Sequence, residues 1–376
     1  MSAIRPITMP KWGLAMEEGL LARWAAVAEG ETITEGPEIM DIETSKIANV
    51  FESPVAGVLR RKVVQEGDTV PVGALLGVVS EAGVAEVDVD SFVEEFLSTF
   101  KPAAKGQGDQ PVAEVIEVGG RRLRHLRAGP DTGDPIVLLH GFGADMSTWM
   151  YNHAALAEDR PVYALDLPGH GGSAKELDDG SVAALAAIVA DYLDVVGIDA
   201  AHLVGHSLGG AIAASVALDR PERVTALTLI APVGLGPEIA GEFVEGFISE
   251  TRARKLRPVL EMLVADPGLV TADMVEEVLK FKRIDGAIAG LRTVADANFS
   301  GGQQRVSLRE RLREIDLPVQ VLWGEADRVL PAAHADGLPE SIAVVRVSGA
   351  GHIVHMERAA EVNEAIRAHG PAKRES

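Results

Sequence analysis

The spacing of apolar positions divides the chain into two parts with different periods. From Ile4 to Val79, short alternating or β-branched runs are broken by Gly and Pro, which predicts a small all-β unit. From Val112 onward, apolar runs of strand length alternate with helical patterns such as 182–196. This alternation predicts a doubly wound, mainly parallel α/β sheet. The two parts together predict a multidomain protein.

The all-β part contains one pattern twice. Gly-Leu-Leu-Ala-Arg-Trp (19–24) leads to Glu-Gly-Glu-Thr-Ile (29–33), and Gly-Val-Leu-Arg-Arg-Lys (57–62) leads to Glu-Gly-Asp-Thr-Val (66–70). Two halves that share a strand, a turn and a strand predict a pseudo-twofold sandwich of two sheets. Lys46 lies between these halves.

The surroundings of Lys46 resemble those of the modified lysine in lipoyl domains. Ile-Glu-Thr-Ser-Lys-Ile (42–47) is followed by Ser-Pro-Val-Ala-Gly (53–57), with the lysine expected at the tip of the hairpin that joins the halves. The resemblance implies that lipoate is covalently bound to Lys46, on an arm that can visit several active sites. Biotinyl domains share the fold but usually carry methionines beside the lysine, so Thr44 and Ser45 favour lipoate. The alternative is an unmodified turn lysine.

Composition and charge change along the chain in a way that predicts the domain boundaries. We expect a lipoyl domain over 1–80, an acidic and then flexible linker over 81–111, and a catalytic domain over 112–371. Within the linker, Phe92, Phe96 and Phe100 recur every four residues, as on one face of a short helix. That face either packs against one of the domains or docks a partner subunit.

The strongest chemical signal of the second part is Gly-His-Ser-Leu-Gly (205–209), which ends an apolar strand pattern and precedes the apolar run 211–218. A G-x-S-x-G sequence in this position predicts a nucleophile elbow, where a strand turns sharply into a helix and exposes its serine, here Ser207. Glycine is expected at both ends, because a side chain there would collide with the neighbouring strand or helix.

The second part resembles the α/β-hydrolase family at several separate points. The landmarks, in the family's order, are His-Gly-Phe-Gly (140–143), Asp-Leu-Pro-Gly-His-Gly (166–171), the elbow, Leu-Trp-Gly-Glu-Ala-Asp (322–327) and Gly-Ala-Gly-His (349–352). The resemblance implies an α/β-hydrolase fold with a helical lid insert at about 233–301. It also implies a catalytic triad in the chain order serine, acid, histidine.

Each triad member has a chemical role. A serine hydroxyl is a poor nucleophile at neutral pH, so we expect His352 to take the proton of Ser207 and Asp327 to orient the imidazole. Backbone N–H groups of Phe142 and Leu208 are expected to bind the oxyanion.

Other titratable residues near these landmarks allow alternatives. Glu325 could replace Asp327 as the acid, but it falls too early after its strand. His355 lies three residues after His352, a spacing that could suggest a metal. No third ligand candidate accompanies that pair, so no metal site is predicted. We expect structural roles for His140, His170 and His206.

Composition excludes several classes of function. A formal net charge of −21 and a pI near 4.9 argue against nucleic-acid and anionic membrane surfaces. The chain has no cysteine, which excludes disulfides, thiolate metal sites and a cysteine nucleophile. With no secretory signal pattern and no apolar run of membrane-spanning length, a cytoplasmic protein is expected.

A lipoyl carrier fused to an α/β-hydrolase-like body resembles the acetyltransferase (E2) components of acetoin-cleaving dehydrogenase complexes. The resemblance implies acetyl transfer from lipoyl-Lys46 to coenzyme A, a thiamine-diphosphate-dependent acetoin dehydrogenase (E1), a lipoamide dehydrogenase (E3) and a homo-oligomeric core. The His-x-x-x-Asp-Gly motif of other E2 enzymes is absent from the sequence. The alternatives are a thioesterase or C–C bond hydrolase tethered to a lipoyl carrier, and a scaffold with an idle triad.

Overall fold

The computed structural model of the protein describes residues 4–10, 18–25, 27–34, 36–43, 48–100 and 112–369. The chain forms two compact units, one over 1–110 and the other, in its main part, over 111–270 and 275–376. Among the described residues, no helix is both long enough and apolar enough to cross a membrane.

The first unit is a sandwich of two four-stranded sheets with the orders β1-β8-β6-β3 and β5-β4-β2-β7. Its strands are β1 (Ile4–Thr8), β2 (Glu18–Trp24), β3 (Thr32–Ile33), β4 (Glu38–Glu43), β5 (Ala48–Glu52), β6 (Gly57–Lys62), β7 (Thr69–Pro71) and β8 (Leu75–Ser80). The strands of the two halves correspond in chain order, β1 to β5, β2 to β6, β3 to β7 and β4 to β8. Replacing each strand by its counterpart converts one sheet order into the other. Even the bulges are duplicated, after Leu21 in β2 and after Leu59 in β6. The predicted pseudo-twofold sandwich is confirmed.

The two halves of the sandwich hold each other through reciprocal hydrogen bonds. Glu66 Oε1 accepts from the Trp24 N–H at 2.8 Å, and Glu29 Oε1 accepts from the Lys62 N–H at 2.6 Å. Trp24 and Lys62 occupy equivalent positions, and the Lys62 ammonium lies 5.0 Å from the Trp24 ring centroid. The buried indole N–H donates to the Val64 carbonyl. The glutamates of the two repeated Glu-Gly pairs therefore join the two halves of the sandwich.

The segment between β4 and β5 contains the expected attachment lysine. The two strands pair antiparallel, with Glu43 opposite Ala48. Residues 44–47, including Lys46, lie outside the described residues, so the attachment site stays a prediction.

A helix follows the sandwich, α1 (Glu86–Thr99). Its buried Val89 packs against Leu75 and Val78 of β8, with Phe92 and Phe96 partly buried beside it. The apolar face of this helix therefore covers the sandwich. A docking role for the helix and the boundaries at 80 and 111 stay predictions.

The second unit is built on an eight-stranded sheet. The strands of this sheet are β9 (Glu114–Val118), β10 (Arg121–Ala128), β11 (Ile136–Leu139), β12 (Val162–Leu165), β13 (Ala201–His206), β14 (Val224–Ile230), β17 (Val319–Gly324) and β18 (Ile342–Val347). A separate two-stranded sheet is formed by β15 (Phe299–Ser300) and β16 (Gln303–Gln304). The helices of the second unit are α2 (His153–Leu156), α3 (Val182–Val195), α4 (Leu208–Asp219), α5 (Gly241–Ser249), α6 (Ala253–Leu260), α7 (Ala272–Lys282), α8 (Ala287–Asn298), α9 (Val354–Glu357) and α10 (Ala359–Ala368).

The strand order of this sheet places the chemical landmarks at one edge. The order is β18-β17-β14-β13-β11-β12-β10-β9, parallel from β18 to β12 and antiparallel at β10 and β9. Ligands of such sheets bind at the carboxyl ends of the parallel strands. Four landmark residues follow four of these ends: Phe142 after β11, Ser207 after β13, Asp327 after β17 and His352 after β18. The α/β prediction is confirmed.

One predicted boundary is wrong, and the difference concerns the elbow. The apolar run predicted a helix from Ala211, whereas α4 begins at Leu208, directly after the serine. Gly209 and Gly210 lie in the first turn of α4. Glycine is required at both positions because the neighbouring segments leave no space for a side chain. A Cβ on Gly209 would collide with the Leu139 carbonyl, and one on Gly210 would lie 2.8 Å from the Pro232 Cβ.

Candidate active site

The backbone at Ser207 is strained. The residue has φ 53° and ψ −115°, a region that residues with a side chain rarely occupy. Four backbone hydrogen bonds hold it there: its N–H donates to the Ile230 carbonyl, and its carbonyl accepts from the N–H groups of Gly210, Ala211 and Val233. The turn from β13 into α4 is therefore fastened to the neighbouring strand end.

The two glycines of the elbow are required for space. A Cβ on Gly205 would collide with the Gly209 carbonyl, and a Cβ on Gly209 would collide with the end of β11. Gly141, in the loop after β11, is equally confined, because its Cβ would lie 2.8 Å from His206 Nδ1 and 3.1 Å from Ser207 Cβ. The loop after β11 therefore runs directly beside the serine.

Asp327 and His352 are brought together by the ends of β17 and β18. Asp327 Oδ2 lies 2.8 Å from His352 Nδ1, and both side chains are buried. The carboxylate is itself held in place, since Oδ2 accepts from the Trp323 indole and Oδ1 accepts from the N–H groups of Val329 and Leu330. Such a carboxylate fixes the orientation of an imidazole. Glu325, the alternative acid, is exposed, and among the described residues its carboxylate forms no hydrogen bond to His352.

His206 links the serine to the histidine loop. Its Nε2 lies 3.0 Å from the His352 carbonyl oxygen, and the two rings have centroids 4.7 Å apart. Among the described residues, no hydrogen bond joins Ser207 to His352. Catalytic hydrogen bonds are often long before substrate binds, so the geometry is compatible with a triad. The catalytic roles of Ser207, Asp327 and His352 stay predictions.

The backbone around the expected oxyanion position offers free donors. Leu208 is the first residue of α4, where N–H groups have no partner within the helix. The Phe142 N–H, in the loop after β11, donates to no protein acceptor within the part of the chain that the structure describes. Both donors lie next to the elbow, and their assignment stays a prediction.

The insert 233–301 packs against the loop that carries Phe142. The Phe142 ring lies about 6 Å, between centroids, from the rings of Phe247 in α5, Phe299 in β15 and His170. Gly143 has φ 74°, and a Cβ there would collide with the Phe247 ring. The insert therefore packs the aromatic rings of Phe247 and Phe299 against the loop that carries Phe142.

Two histidines of the landmarks hold loops rather than face the serine hydroxyl. His140 Nε2 accepts from the Leu167 N–H at 3.0 Å, and His170 Nδ1 lies 3.0 Å from the Pro168 carbonyl oxygen. The His355 ring contacts the rings of Trp149 and His206 in tilted arrangements, with centroids 4.4 and 4.6 Å apart. Across the described ranges, no three His, Asp or Glu side chains are grouped as ligands for a metal ion.

Two charged residues beside the Asp327–His352 pair were missed by sequence reasoning. Glu357 is buried and accepts from the Gly351 N–H, one residue before His352, while Arg328 follows Asp327 and donates to the Val264 carbonyl. Neither lies in a motif with a characteristic spacing. No local signal in the sequence could have identified them.

Burial lowers the pKa of His125 and His369, and it lowers the pKa of six further histidines more strongly. Loss of hydration lowers the pKa of His140 and His153 to about 4 and that of His170, His202 and His355 to about 3, and lowers the pKa of His206 as well. Each is therefore neutral in the folded protein, whereas a histidine in the unfolded chain has a pKa of about 6.5.

We expect the protein to lose stability steeply below pH 6.5. Below pH 6.5 these histidines bind protons in the unfolded chain but stay neutral in the folded protein. Each of them therefore lowers the free energy of unfolding by about 1.4 kcal/mol for every pH unit, from pH 6.5 towards about 4. Above pH 6.5 the stabilisation is fully present. Burial raises the pKa of Asp166 and Glu357, which offsets part of this loss at the acid end. Urea unfolding at pH 7.5, 6.5 and 5.5 measures the slope.

A His202→Gln variant is the matched control for this slope. Its side chain is buried in β13 and contacts Thr228 Oγ1 at 2.8 Å, rather than the triad. In the variant, the slope of the free energy of unfolding against pH should be smaller by the contribution of one proton, because one titrating histidine has been removed. A free energy of unfolding that is constant between pH 7.5 and 5.5 would contradict the prediction.

Comparison with known proteins is consistent with both units. A family model described as alpha/beta hydrolase fold matches residues 134–359, and a model described as biotin-requiring enzyme matches residues 5–79. Among solved structures, a membrane phospholipase A has 27% identity and a TM-score of 0.61, covering 69% of this chain and 85% of its own. A meta-cleavage product hydrolase from Pseudomonas fluorescens IP01 has 20% identity and a TM-score of 0.62, with 68% and 96% covered, a likeness in fold alone.

Two relatives match both units at once. The dihydrolipoyllysine-residue acetyltransferase component of the acetoin cleaving system from Pseudomonas putida is 46% identical over 371 residues, 98% of this chain and 99% of its own. Its counterpart from Cupriavidus necator is 42% identical over 367 residues, 97% of each chain. The family predicted from the sequence is confirmed. The chain belongs to the family of dihydrolipoyllysine-residue acetyltransferase components of acetoin cleaving systems.

Proposed function

We propose that the protein is an acyltransferase that moves an acetyl group from a lipoyl-lysine thioester to coenzyme A, through an acyl-enzyme on Ser207. The observation that carries this proposal is the union, in one chain, of a duplicated lipoyl-type sandwich and a strained serine beside a buried Asp327–His352 pair. A relative with the same two units along its whole length supports it.

The first half-reaction forms the acyl-serine. Ser207 Oγ attacks the carbonyl carbon of the thioester while His352 Nε2 takes the hydroxyl proton. The C–S bond then breaks, and the departing sulfur receives that proton from His352. Asp327 holds Nδ1 throughout and stabilises the imidazolium.

The second half-reaction returns the serine to its resting state. His352 takes the thiol proton of coenzyme A, the sulfur attacks the acyl carbon, and the bond to Ser207 Oγ breaks. The proton on His352 then returns to the serine oxygen. In both halves, negative charge develops on the carbonyl oxygen, where the N–H groups of Phe142 and Leu208 would stabilise it by roughly 3 kcal/mol each.

The first unit fits a lipoyl arm. Its two halves are related by pseudo-twofold symmetry, and the antiparallel strands β4 and β5 are joined by four residues that include Lys46. Lipoate on this lysine would supply a thioester on a long flexible arm. A tethered donor reaches the site at high effective concentration.

Transfer requires that the acyl-serine react with a thiol before it reacts with water. The insert supports this requirement, because Phe247 and Phe299 cover the loop that carries Phe142. A dry site removes the competing nucleophile and strengthens the oxyanion hydrogen bonds.

The acetyltransferase is one component of a multi-component system. We propose that a thiamine-diphosphate-dependent acetoin dehydrogenase (E1) acylates the arm, and that a lipoamide dehydrogenase (E3) reoxidises it. A homo-oligomeric core and a cytoplasmic location stay predictions, as does the division into 1–80, 81–111 and 112–371.

Product analysis tests the proposed function. Purified holo-protein is given an S-acetyl-dihydrolipoyl donor with and without coenzyme A, and acetyl-CoA and free acetate are measured. We expect acetyl-CoA to predominate when coenzyme A is present. Predominant acetate that coenzyme A does not change would identify a thioesterase and overturn the proposal, and absence of both products would identify a scaffold with an idle triad.

A further inference from the structure

The buried carboxylate of Glu357 joins the histidine loop to the insert. Its Oε1 accepts from the Gly351 N–H at 2.7 Å, and its Oε2 accepts from the Ala265 N–H at 2.8 Å. Gly351 directly precedes His352, and Ala265 lies after α6 in the insert. One carboxylate therefore bridges the catalytic base and the lid.

Two further bonds fasten the same insert segment, 261–265. The Ile353 N–H, just after His352, donates to the Leu263 carbonyl at 3.1 Å. The Arg328 guanidinium, just after Asp327, donates to the carbonyls of Val264, at 3.0 Å, and Glu261. Both members of the Asp327–His352 pair are thus neighbours, along the chain, of residues that hold this segment.

The segment is mechanically connected to the cover of the oxyanion loop. It follows α6, which packs closely on α5: a Cβ on Gly246 of α5 would lie 2.7 Å from a methyl of Val259 in α6. Helix α5 carries Phe247, whose ring lies against Gly143 and Phe142. The order of contacts runs from Glu357 through 261–265, α6 and α5 to the loop that binds the oxyanion.

We propose that Glu357 is a positioning residue that couples the orientation of His352 to closure of the insert over Ser207, and so sets the ratio of thiol transfer to hydrolysis. The inference rests on the proposed function. When Glu357 releases either N–H, the histidine loop and the insert separate, and water reaches the acyl-serine. Among the residues that the structure describes, neither of these N–H groups forms another hydrogen bond.

A Glu357→Gln variant tests the coupling in the full-length holo-protein. Glutamine keeps one acceptor oxygen but turns an NH₂ group towards the other N–H, so one of the two bonds is lost. We expect the ratio of acetyl-CoA to acetate to fall about tenfold or more, as one buried N–H loses its acceptor. The turnover number should fall with little change in the KM of the donor. Amide hydrogen exchange should accelerate together in peptides covering 261–265 and 349–353.

Three further variants make the result specific. Glu361→Gln removes an exposed carboxylate from α10, four residues away along the chain, and should leave ratio and exchange unchanged. Glu357→Asp keeps the negative charge, so its ratio of acetyl-CoA to acetate should be higher than that of Glu357→Gln. Arg328→Gln releases the segment from the acid side and should lower the ratio in the same direction, which tests the coupling if Glu357→Gln does not fold.

The two proposals fail in different ways. If the unaltered protein makes only acetate, the proposed function is wrong, and the exchange measurement still tests whether the two segments open together. If the unaltered protein makes acetyl-CoA but Glu357→Gln and Arg328→Gln change neither the ratio nor the exchange, the coupling is wrong and the function stands.

Discussion

Replacing Ser207 with alanine is expected to lower acetyl-CoA formation by about 10⁴- to 10⁶-fold, the loss seen when a triad serine is removed. Without Oγ no acyl-enzyme forms, and only binding and the oxyanion donors continue to contribute. The fold should persist, because Ser207 is held by its backbone bonds to Ile230, Gly210 and Val233. The measurement is acetyl-CoA produced from a free S-acetyl-dihydrolipoyl donor.

A serine elsewhere in the same helix provides the control. Ser215 is a buried residue of α4. Ser215→Ala should leave the rate of acetyl-CoA formation within about twofold, since a buried position in a helix tolerates the loss of a hydroxyl. A fluorophosphonate probe should add one adduct to the unaltered protein and to Ser215→Ala, and none to Ser207→Ala. Unchanged transfer by Ser207→Ala would mean that coenzyme A attacks the thioester directly, and would exclude the serine mechanism.

Replacing Lys46 with arginine is expected to abolish acetoin-dependent acetyl-CoA formation by the reconstituted system. Arginine keeps the positive charge but cannot form the lipoyl amide, so the tethered donor is lost. Transfer from a free S-acetyl-dihydrolipoyl donor should remain within about twofold, because Ser207 and His352 belong to the other unit. That free donor lacks the effective concentration that tethering supplies, which is in the millimolar range for short flexible linkers.

Intact mass separates a missing arm from a damaged enzyme. After expression in a host that lipoylates proteins, the unaltered chain should carry the mass of one lipoyl group and Lys46→Arg should carry none. Lys62→Arg is the matched control, since Lys62 lies in the same sandwich beside Trp24 and should leave the chain fully lipoylated. An unmodified mass for the unaltered chain would contradict the attachment at Lys46.

The strands of the large sheet were predictable because they are buried on both faces. Ile136–Leu139 and Val162–Leu165 are continuous apolar runs, Val224–Ile230 is an apolar run interrupted by two threonines, and each is a strand with these bounds. Helix α4 was predicted three residues late, since the apolar run that indicates it begins only at Ala211. Only the packed sheet shows that Gly209 lies against the end of β11, where a side chain has no space.

The candidate site was predictable in part. Motifs identify Ser207 because an elbow needs small residues at fixed offsets from its serine. Asp327 and His352 were placed by order along the chain, but a hydrogen bond between side chains 25 positions apart is a product of neighbouring strand ends. No sequence signal identifies Glu357, because the sequence does not distinguish a buried glutamate that accepts two backbone hydrogen bonds from a solvated glutamate.

Local sequence was sufficient wherever the physical cause is local or repeated. Apolar period, glycine at confined positions and an internal duplication specify a lipoyl-type sandwich, a nucleophile elbow and the class of the sheet, since each depends on residues close along the chain. Tertiary packing was required for every interaction between distant segments. It sets the Asp327–His352 pair, the contact of Phe247 with the loop that carries Phe142 and the bridge through Glu357, because burial and hydrogen-bond partners exist only when strand ends and insert are brought together.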